Sequence, residues 1–465
     1  MSNSDAEAFA GTARVDITPS WPVMQGGFGQ RTGPHIGVLD RVFAKALYLR
    51  SGVEELLLIT ADLIAIPSQI AQPVSETLCA LTGLELREVC ICASHTHSGP
   101  VPYDSGGAEG VVEYSAFLRD ALVQVGLSAR ADAVPSRIGT GVGAVDVFFN
   151  RRTRGTPNHV DRRVAVLTVH DAEDDRVTAV LFGVGCHPVT LGWDNMAVSG
   201  DFPGVAQRHV EAALGVDNAL FFNSTEGNVI PVTSPNCNSL DPRGYVGGTY
   251  ADTERIGGAI ATEVVRVVSM ITSSAAVSLG SARRDLSVAP KNAGFDLASS
   301  EVRLAQATSV LEEVLGPDFA ERSKGYVWAL ASRHVVATDC SEDDMRRLML
   351  AVCEYLGLRA RVAHGMSLRN VSVPVQVLCV NDLELLALPG EVLVEVGDEW
   401  TARTNAPGSF VIGLANAHHR YLPMPAHFNE ADAGLHYETV TAGLEQNAME
   451  LALDMGMTLR ADLRS

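Results

Sequence analysis

The sequence predicts a mixed α/β fold, and three observations support that prediction. Short apolar runs of strand length alternate with longer segments whose apolar residues recur at helical spacing. Two neighbouring apolar runs, residues 164–170 and 177–185, flank a polar turn and are typical of an antiparallel hairpin. The 465 residues are 46% hydrophobic and 19% charged, which is an ordinary globular composition with enough apolar material for a large core. We therefore expect a large central mixed β-sheet flanked by helices.

The predicted elements follow in chain order. Strands are expected at residues 11–18, 42–49, 56–65, 89–93, 137–143, 164–170, 177–185, 219–223, 371–380, 383–388 and 410–415. Helices are expected at residues 69–82, 114–129, 205–214, 252–271, 299–315, 342–358, 391–403 and 444–463. No repeat or low-complexity linker divides the chain. We therefore expect a single domain over residues 1–465, with a helical cap or insertion at about 295–365.

Charge and cysteine usage restrict the classes of partner. The formal net charge of −20, from 55 acidic and 35 basic residues, would repel a nucleic-acid backbone, and no basic run offsets it locally. No window approaches ~18 consecutive apolar residues, and the N-terminus lacks the pattern of a secretory signal. The eight cysteines are scattered, as reduced core thiols would be. We expect a cytoplasmic protein with a small-molecule substrate, no nucleic acid and no stable membrane insertion; a homo-oligomer stays possible.

A pair of histidines follows the apolar run 89–93, in the segment Ala-Ser-His-Thr-His-Ser-Gly-Pro. Side chains two residues apart on a strand point to the same side, so His95 and His97 would project together if strand geometry continues. Two imidazoles at one point can hold a transition metal, or supply one ligand and one acid/base group. The alternative is a pair that ends a strand and faces water.

Three other polar residues, His187, Glu391 and Tyr421, also stand at or just beyond the end of an apolar strand. Each has a structural alternative: a satisfied turn histidine, a glutamate in the first turn of a helix, and a half-buried aromatic. Asp62 and Asp201 are candidates for orienting a ligand histidine from behind, with a capping or turn role as the alternative.

A series of motifs runs through nearly the whole chain, from Asp16 to Pro423. In order they are Asp-Ile-Thr-Pro, His-Thr-His-Ser-Gly-Pro, Asn-Arg, His-Pro, Ser-x-Asp-x-Pro-Gly, Gly-Asn-x-x-Pro, Pro-Gly-Glu and Tyr-x-Pro. This series resembles the neutral/alkaline non-lysosomal ceramidase superfamily, and more closely its short bacterial relatives that lack the C-terminal immunoglobulin-like domain. The resemblance implies a fold like that of the ceramidase N-terminal domain.

The resemblance also implies a zinc amidase and assigns roles to residues of this chain. The implied zinc ligands are His95, His187, Glu391 and Tyr421, with His97 as the acid/base or oxyanion-stabilising residue and Arg151 near the substrate's polar end. Two imidazoles and a carboxylate suit Zn²⁺, although Mn²⁺, Fe²⁺ and Co²⁺ are not excluded.

Further residues are candidates for contact with the substrate. Gly27 belongs to a glycine-rich loop that would allow close backbone approach, and the alternative is an ordinary turn. Asn228 lies in the Gly-Asn-x-x-Pro segment. The remaining candidates, Arg151, Arg152, His419 and Arg420, would form a cationic rim that favours a carboxylate-bearing substrate.

The chain departs from the ceramidase pattern in one loop. Ile230 stands where ceramidases carry a serine, so a mechanism that needs that hydroxyl would require Ser224 or Thr225 instead. The chain shows no amphipathic, lipid-facing helix of the kind interfacial enzymes use. Cleavage of membrane ceramide itself is therefore not expected.

The sequence thus predicts a zinc-dependent hydrolase that cleaves an amide (C–N) bond of a soluble small molecule by metal-activated water. Two alternatives stay open. The same site could hydrolyse a lactone or an ester, or the chain could be a non-catalytic ligand-binding or sensor protein that kept the scaffold.

Overall fold

A computed structural model describes residues 7–102, 110–152, 158–233, 241–243, 247–291, 297–363, 369–431 and 433–464. The strands are β1 Ala8–Asp16, β2 Gly37–Val38, β3 Phe43–Ser51, β4 Glu54–Ala61, β5 Val89–Ala93, β6 Val134–Ala144, β7 Phe148–Asn150, β8 Arg163–Asp171, β9 Val177–Val184, β10 Ala197–Val198, β11 Asn218–Asn223, β12 Val229–Pro231, β13 Leu279–Val288, β14 Val371–Val380, β15 Leu383–Ala387, β16 Glu391–Val392, β17 Ser409–Ile412 and β18 Tyr421–Leu422.

The helices alternate with these strands along the chain. They are α1 Ser68–Thr82, α2 Val111–Ala131, α3 Asp201–Leu214, α4 Tyr250–Val268, α5 Leu297–Leu315, α6 Phe319–Ser323, α7 Val327–Thr338, α8 Glu342–Ala363, α9 Val394–Thr404, α10 Pro425–Phe428, α11 Tyr437–Thr441 and α12 Ala448–Arg464. In the described ranges, none of the helices is both long and apolar enough to cross a bilayer.

The main sheet has eight strands in the order β11-β9-β8-β6-β1-β3-β4-β5. Its interior pairs are antiparallel, whereas the two edge pairs, β4 with β5 and β9 with β11, are parallel. The expected hairpin of β8 and β9 is present. The predicted large mixed sheet is therefore confirmed.

A second sheet of four strands, in the order β13-β14-β15-β17, covers one face of the main sheet. The two sheets share one apolar cluster, which includes Leu58 and Cys90 of the main sheet and Leu385 and Phe410 of the second. Helices α1 to α4 cover the outer face of the main sheet, and α9 and α12 cover the outer face of the second. The fold is a four-layer α/β/β/α arrangement in which the central strands are buried on both faces, which explains their continuous apolar runs.

Two local predictions are corrected by the structure. Strand β13 was not predicted, because its arginines, aspartate and serines give it no continuous apolar run. The helix predicted from residue 391 begins at Val394 instead. Glu391 lies in the short strand β16, where it pairs with Tyr421 of β18 in parallel register. This pairing brings two of the predicted ligands side by side.

Helices α5 to α8 are inserted into a hairpin. β13 and β14 pair antiparallel over ten residues, from Leu279 opposite Val380 to Val288 opposite Val371, and the helices lie between them in the chain. The helices have an apolar cluster of their own that includes Leu311 and Met349. These helices occupy residues 297–363 of the segment at about 295–365 where a cap or insertion is expected, and the outermost residues of that segment fall outside the described ranges. The single domain over 1–465 stays a prediction.

Candidate metal centre

Side chains from three separate strand ends meet at one buried point. Nε2 of His187 lies 3.3 Å, and Nε2 of His95 lies 3.5 Å, from the same oxygen, Oε2 of Glu391. The exposed fractions of the two histidines are 2% or less, and that of Glu391 is 7%. Imidazole and carboxylate groups at such separations can all bind a single ion placed between them.

His95 reaches this point through a backbone kink and not through continued strand geometry. Strand β5 ends at Ala93, and His95 has φ +70°, a left-handed conformation that is costly for a residue with a side chain. The kink is held because the His95 N–H donates to the Leu63 carbonyl at 2.9 Å and its Nδ1 donates to the Ile64 carbonyl at 2.6 Å. Strand geometry therefore does not continue through the motif, although the two histidines do adjoin each other.

His187 is fixed in the same way. Its backbone N–H donates to the Val229 carbonyl at 2.8 Å, and its Nδ1 lies 2.6 Å from the Glu226 carbonyl. A carbonyl oxygen can only accept, so Nδ1 carries the proton and Nε2 presents its lone pair. Because His95 is held likewise by Ile64, both Nε2 lone pairs are available beside Glu391. This arrangement fits a metal ion, since metal-binding histidines are commonly oriented by a hydrogen bond from their other nitrogen.

Tyr421 and Arg151 complete one side of the site. The Tyr421 hydroxyl lies 3.2 Å from Nε2 of His187, and Nη2 of Arg151 donates to that hydroxyl at 3.0 Å. The same guanidinium donates to Oε1 of Glu438 at 2.7 Å and to the Gly227 carbonyl at 2.9 Å. Burial and the negative charge of Glu391 raise the pKa of Tyr421 well above its usual value.

His97 faces the same point from the cavity side. Its Nε2 lies 3.3 Å from Nε2 of His95, and its ring packs edge-on to Phe28 with the centroids 4.9 Å apart. Gly27 lies directly against it, since a Cβ on that residue would be 2.3 Å from the His97 ring. Burial, His95 and His187 lower the pKa of His97 well below its usual value, so its ring is neutral. Potential ligand atoms of the three histidines all lie within 4.8 Å of one another.

Two residues near the proposed ligands, His418 and Glu226, were missed by the sequence analysis. Nε2 of His418 lies 3.3 Å from Oε1 of Glu391, whereas the predicted His419 turns away and bonds the Ser372 carbonyl at 3.0 Å. The two histidines are adjacent in an irregular loop, so no periodicity could distinguish them.

Glu226 is fully buried, and its carboxylate oxygens have no hydrogen-bond partner among the described residues. Burial, reinforced by Glu391, raises the pKa of Glu226 well above its usual value.

The two predicted orienting aspartates have structural roles instead. Asp62 accepts the Phe43 N–H at 3.0 Å and the Gln207 amide at 3.1 Å. Asp201 accepts the Leu191 N–H at 3.0 Å and the Phe202 N–H at 2.6 Å at the start of α3. Neither orients a ligand histidine, because the Nδ1 atoms of His95 and His187 are held by backbone carbonyls.

Three predicted substrate contacts lie away from the cavity. The Asn228 side chain accepts the Val394 N–H at 3.0 Å and donates to Glu395 at 3.0 Å, so it holds the start of α9. Arg152 pairs with Glu438 at 3.4 Å and with Glu430, and His419 bonds backbone as described above. Gly27, by contrast, lines the cavity.

At position 230, where the resemblance to the ceramidases implies a serine, the chain has an isoleucine. Ile230 is fully buried beside Val189, with Phe28 and Phe149 packed against the pair. Ser224 and Thr225, the other candidates, are buried and do not line the cavity in the described part of the chain.

The site lies at the bottom of a cavity of about 1350 Å³. Helices of the insertion contribute a large part of its wall. The described basic residues that line it are Arg31, Arg151, Lys291, Arg303, Lys324, Arg347, Arg359, Arg361 and Arg420. The described acidic ones are Asp241, Glu354 and Glu391. The expected cationic character is therefore present, with Arg151 and Arg420 as predicted and most of the remainder from the inserted helices.

Comparisons with known proteins establish the fold. No protein-family model and no curated protein matches the chain. The neutral ceramidase from Pseudomonas aeruginosa superposes with a TM-score of 0.70 at 17% identity, covering 99% of this chain and 75% of that one. A ceramidase structure described as complexed with C2 gives a TM-score of 0.70 at 19% identity, covering 99% and 76%. The chain therefore has the fold of the neutral ceramidases, as its motifs predicted.

Proposed function

We propose that this protein is a metal-dependent hydrolase of the neutral ceramidase superfamily that cleaves an amide bond of a soluble small molecule. One observation carries the proposal. The Nδ1 atoms of His95 and His187 are tied to backbone carbonyls, so both Nε2 lone pairs are directed beside one Glu391 oxygen. A histidine pair with only a structural role has no need for two unprotonated Nε2 atoms next to a buried carboxylate.

The proposed ligands are His95, His187, Glu391 and Tyr421, and Zn²⁺ is the ion that we propose. Imidazole nitrogen with carboxylate oxygen is the donor set of many catalytic zinc sites. A divalent ion held there would lower the pKa of water and polarise a substrate carbonyl.

The chain's own residues would then handle the protons and the substrate. His97 lies beside His95 and has one unprotonated ring nitrogen, so we propose that it takes a proton from the attacking water and delivers it to the leaving nitrogen. Arg151 fixes the Tyr421 hydroxyl, and Glu438 in turn fixes Arg151. Because Ile230 has no hydroxyl, we propose that attack does not proceed through a side-chain alcohol at that position.

The charge of the cavity supports a soluble, anionic substrate and not ceramide. Nine described basic residues and three acidic ones line the cavity, and among the basic ones Arg151, Arg303 and Arg347 are paired with Glu438, Glu354 and Glu313. Acidic residues prevail in the whole chain. A neutral lipid would gain nothing from these charges, whereas a carboxylate-bearing substrate would be attracted by them.

The described cysteines, from Cys79 to Cys379, are all free, which agrees with a reducing compartment and supports a cytoplasmic location.

The test has two measurements. Metal analysis of the purified protein is expected to give about one zinc per chain, as its single proposed site requires. A panel of paired amides and esters, assayed with and without a chelator, is expected to show chelator-sensitive cleavage of amides. Faster turnover of the esters would favour an ester or lactone hydrolase. Bound metal without turnover on any member would overturn the enzyme proposal and favour a binding protein.

The role of His97 can be separated from that of the ligands. The variant His97→Asn is expected to retain the metal but lose activity by about 10²-fold, the lower range for a general acid/base group. Loss of the metal together with activity would instead make His97 a ligand.

A further inference from the structure

Lys291 lines the cavity, and its ammonium group bonds to two backbone carbonyls of the described residues. Its Nζ donates to the Val440 carbonyl at 2.8 Å and to the Thr439 carbonyl. An ammonium group has three donors, so these two acceptors leave one for a ligand. Neither acceptor carries a formal charge, and no described carboxylate forms an ion pair with Lys291.

Arg420 lies next to the proposed ligand Tyr421 and also lines the cavity. Its backbone is in a left-handed conformation with φ +62°, and its carbonyl accepts the Glu391 N–H at 2.9 Å. Backbone conformations of this kind cost energy and are concentrated at functional sites. The side chain is exposed, and it forms no ion pair with any carboxylate of the described residues.

The two cations lie on neighbouring segments of the wall, because the Lys291 N–H donates to the Gly443 carbonyl at 3.0 Å and a Cβ on Gly443 would lie 2.4 Å from the His419 carbonyl. Burial raises the pKa of the Cys353 thiol to about 12, and the positive charges of Arg420 and Lys291 act against that rise. Lys291, Cys353 and Arg420 all line the same cavity. Glu354 lies beside them, but it is paired with Arg303 at 2.5 Å between Nε and Oε1. Burial lowers the pKa of Lys291 to about 8, so at neutral pH both Lys291 and Arg420 carry positive charge on this part of the wall.

One aromatic ring separates this cluster from the metal centre. The Tyr437 ring lies edge-on to the Tyr421 ring with the centroids 5.5 Å apart, and it lines the same cavity. Two residues beyond Tyr437, the Thr439 carbonyl accepts a hydrogen bond from the Lys291 ammonium group. A small molecule with its reacting carbonyl beside Tyr421 could therefore extend past Tyr437 to the two cations.

We propose that Lys291 and Arg420 form an anion subsite that binds a carboxylate or phosphate group of the substrate, at the end remote from the bond that is cleaved. A charged group there would be held in a concave, partly desolvated wall where pairing is stronger than at an open surface. The inference rests on the proposed function only in calling the bound molecule a substrate.

Binding is measured first, by titration calorimetry on the metal-loaded full chain with glutarate, its neutral diamide and inorganic phosphate. We expect glutarate or phosphate to bind at least about tenfold more tightly than the diamide, because charge-assisted hydrogen bonds are the strong ones. Lys291→Met and Arg420→Gln should each remove most of that preference. Tighter binding of phosphate would assign a phosphate group, and tighter binding of glutarate a carboxylate.

Matched variants keep the result interpretable. Arg346→Gln removes the same charge from α8, where Arg346 pairs with Glu342 outside the cavity, and it should leave binding unchanged. Lys291→Arg and Arg420→Lys retain the charge and should restore a large part of the preference. Equal binding of glutarate and its diamide by the unmodified protein, or an equal loss in Arg346→Gln, would overturn the subsite.

Turnover then separates the subsite from the proposed function. Amides that end in a carboxylate are compared with the same amides ending in a carboxamide. If the chain hydrolyses both equally well, with unchanged KM in Lys291→Met, the hydrolase proposal stands and the subsite falls. If neither is hydrolysed but the charge preference in binding persists, the subsite stands and the hydrolase proposal falls.

Discussion

The bottom and the wall of the cavity are built in different ways. At the bottom, His95, His187 and Glu391 come from strand ends, are buried, and are oriented by backbone groups. The wall formed by α5 to α8 carries long arginine side chains, such as those of Arg347 and Arg359. The helices that carry them have an apolar core of their own. The difference suggests a division of roles: the bottom fixes reactive atoms, whereas the wall supplies charge that selects the substrate.

The sharpest test of this division is removal of a ligand. His187→Ala is expected to abolish metal binding and to lower kcat/KM by at least 10³-fold, about 4 kcal/mol of transition-state stabilisation. Metal content and kcat/KM are measured together. His170→Ala removes another buried histidine, one that bonds Thr168, and should keep both the metal and the activity. Retention of stoichiometric metal in His187→Ala would contradict the proposed site.

Loss of Arg151 should have the next largest effect. Arg151→Met removes the donor to the Tyr421 hydroxyl and leaves Glu438 buried with less positive charge beside it. We expect kcat to fall by about 10²-fold, the upper range for groups that support metal ligands, with a smaller change in KM. A rise in KM alone would instead give Arg151 a role in substrate binding.

Gly27→Ala tests how closely the bottom is packed. The new Cβ would meet the His97 ring at 2.3 Å, and φ is +90° at this position. We expect kcat to fall by about tenfold, because small displacements of a catalytic group are costly. Gly83→Ala imposes a similar positive φ of +82° with no neighbour within 4 Å, so it should lower stability but leave kcat unchanged. Equal kcat losses in both variants would show that backbone strain alone is responsible.

A single charge on the wall should matter least. Arg359→Gln removes a guanidinium that lies 5.9 Å from the Tyr355 ring centroid. We expect KM for an anionic amide to rise by about threefold, because a partly exposed charge pair contributes about 1 kcal/mol or less of binding free energy. The kcat and the metal content should be unchanged. The neutral amide is the comparison substrate. A fall in kcat at constant KM would contradict the assignment of the wall to selection.

The sequence was informative where function depends on strand ends. Apolar runs located most strands, and His95, His187, Glu391 and Tyr421 were candidates because they stand at or just beyond strand ends. Their selection as a ligand set came from the resemblance to the ceramidases. The sequence was uninformative where the backbone is irregular or the pattern is polar. The left-handed residue at His95 has no sequence signal, and His418 could not be chosen over its neighbour.

The arginines of the wall show a further limit. Helical periodicity indicates which face of α8 is apolar, but it does not show whether the opposite face meets solvent or a cavity. Arg347 and Arg359 therefore read as ordinary surface residues until the fold is known. The predicted contacts at Arg152 and Asn228 failed for the same reason, since proximity in the chain to a motif does not fix where a side chain points.

The β13–β14 hairpin makes the helical insertion replaceable. Val288 and Val371 are register partners, so the two strands close next to each other whatever chain runs between them. A descendant of this protein could exchange or shorten the intervening helices while both strands stay in register, provided that the packing of Trp328 against Gly29 and Tyr437 is replaced. New substrate ranges could then evolve, or be engineered, by joining a different segment to the neighbouring ends of β13 and β14.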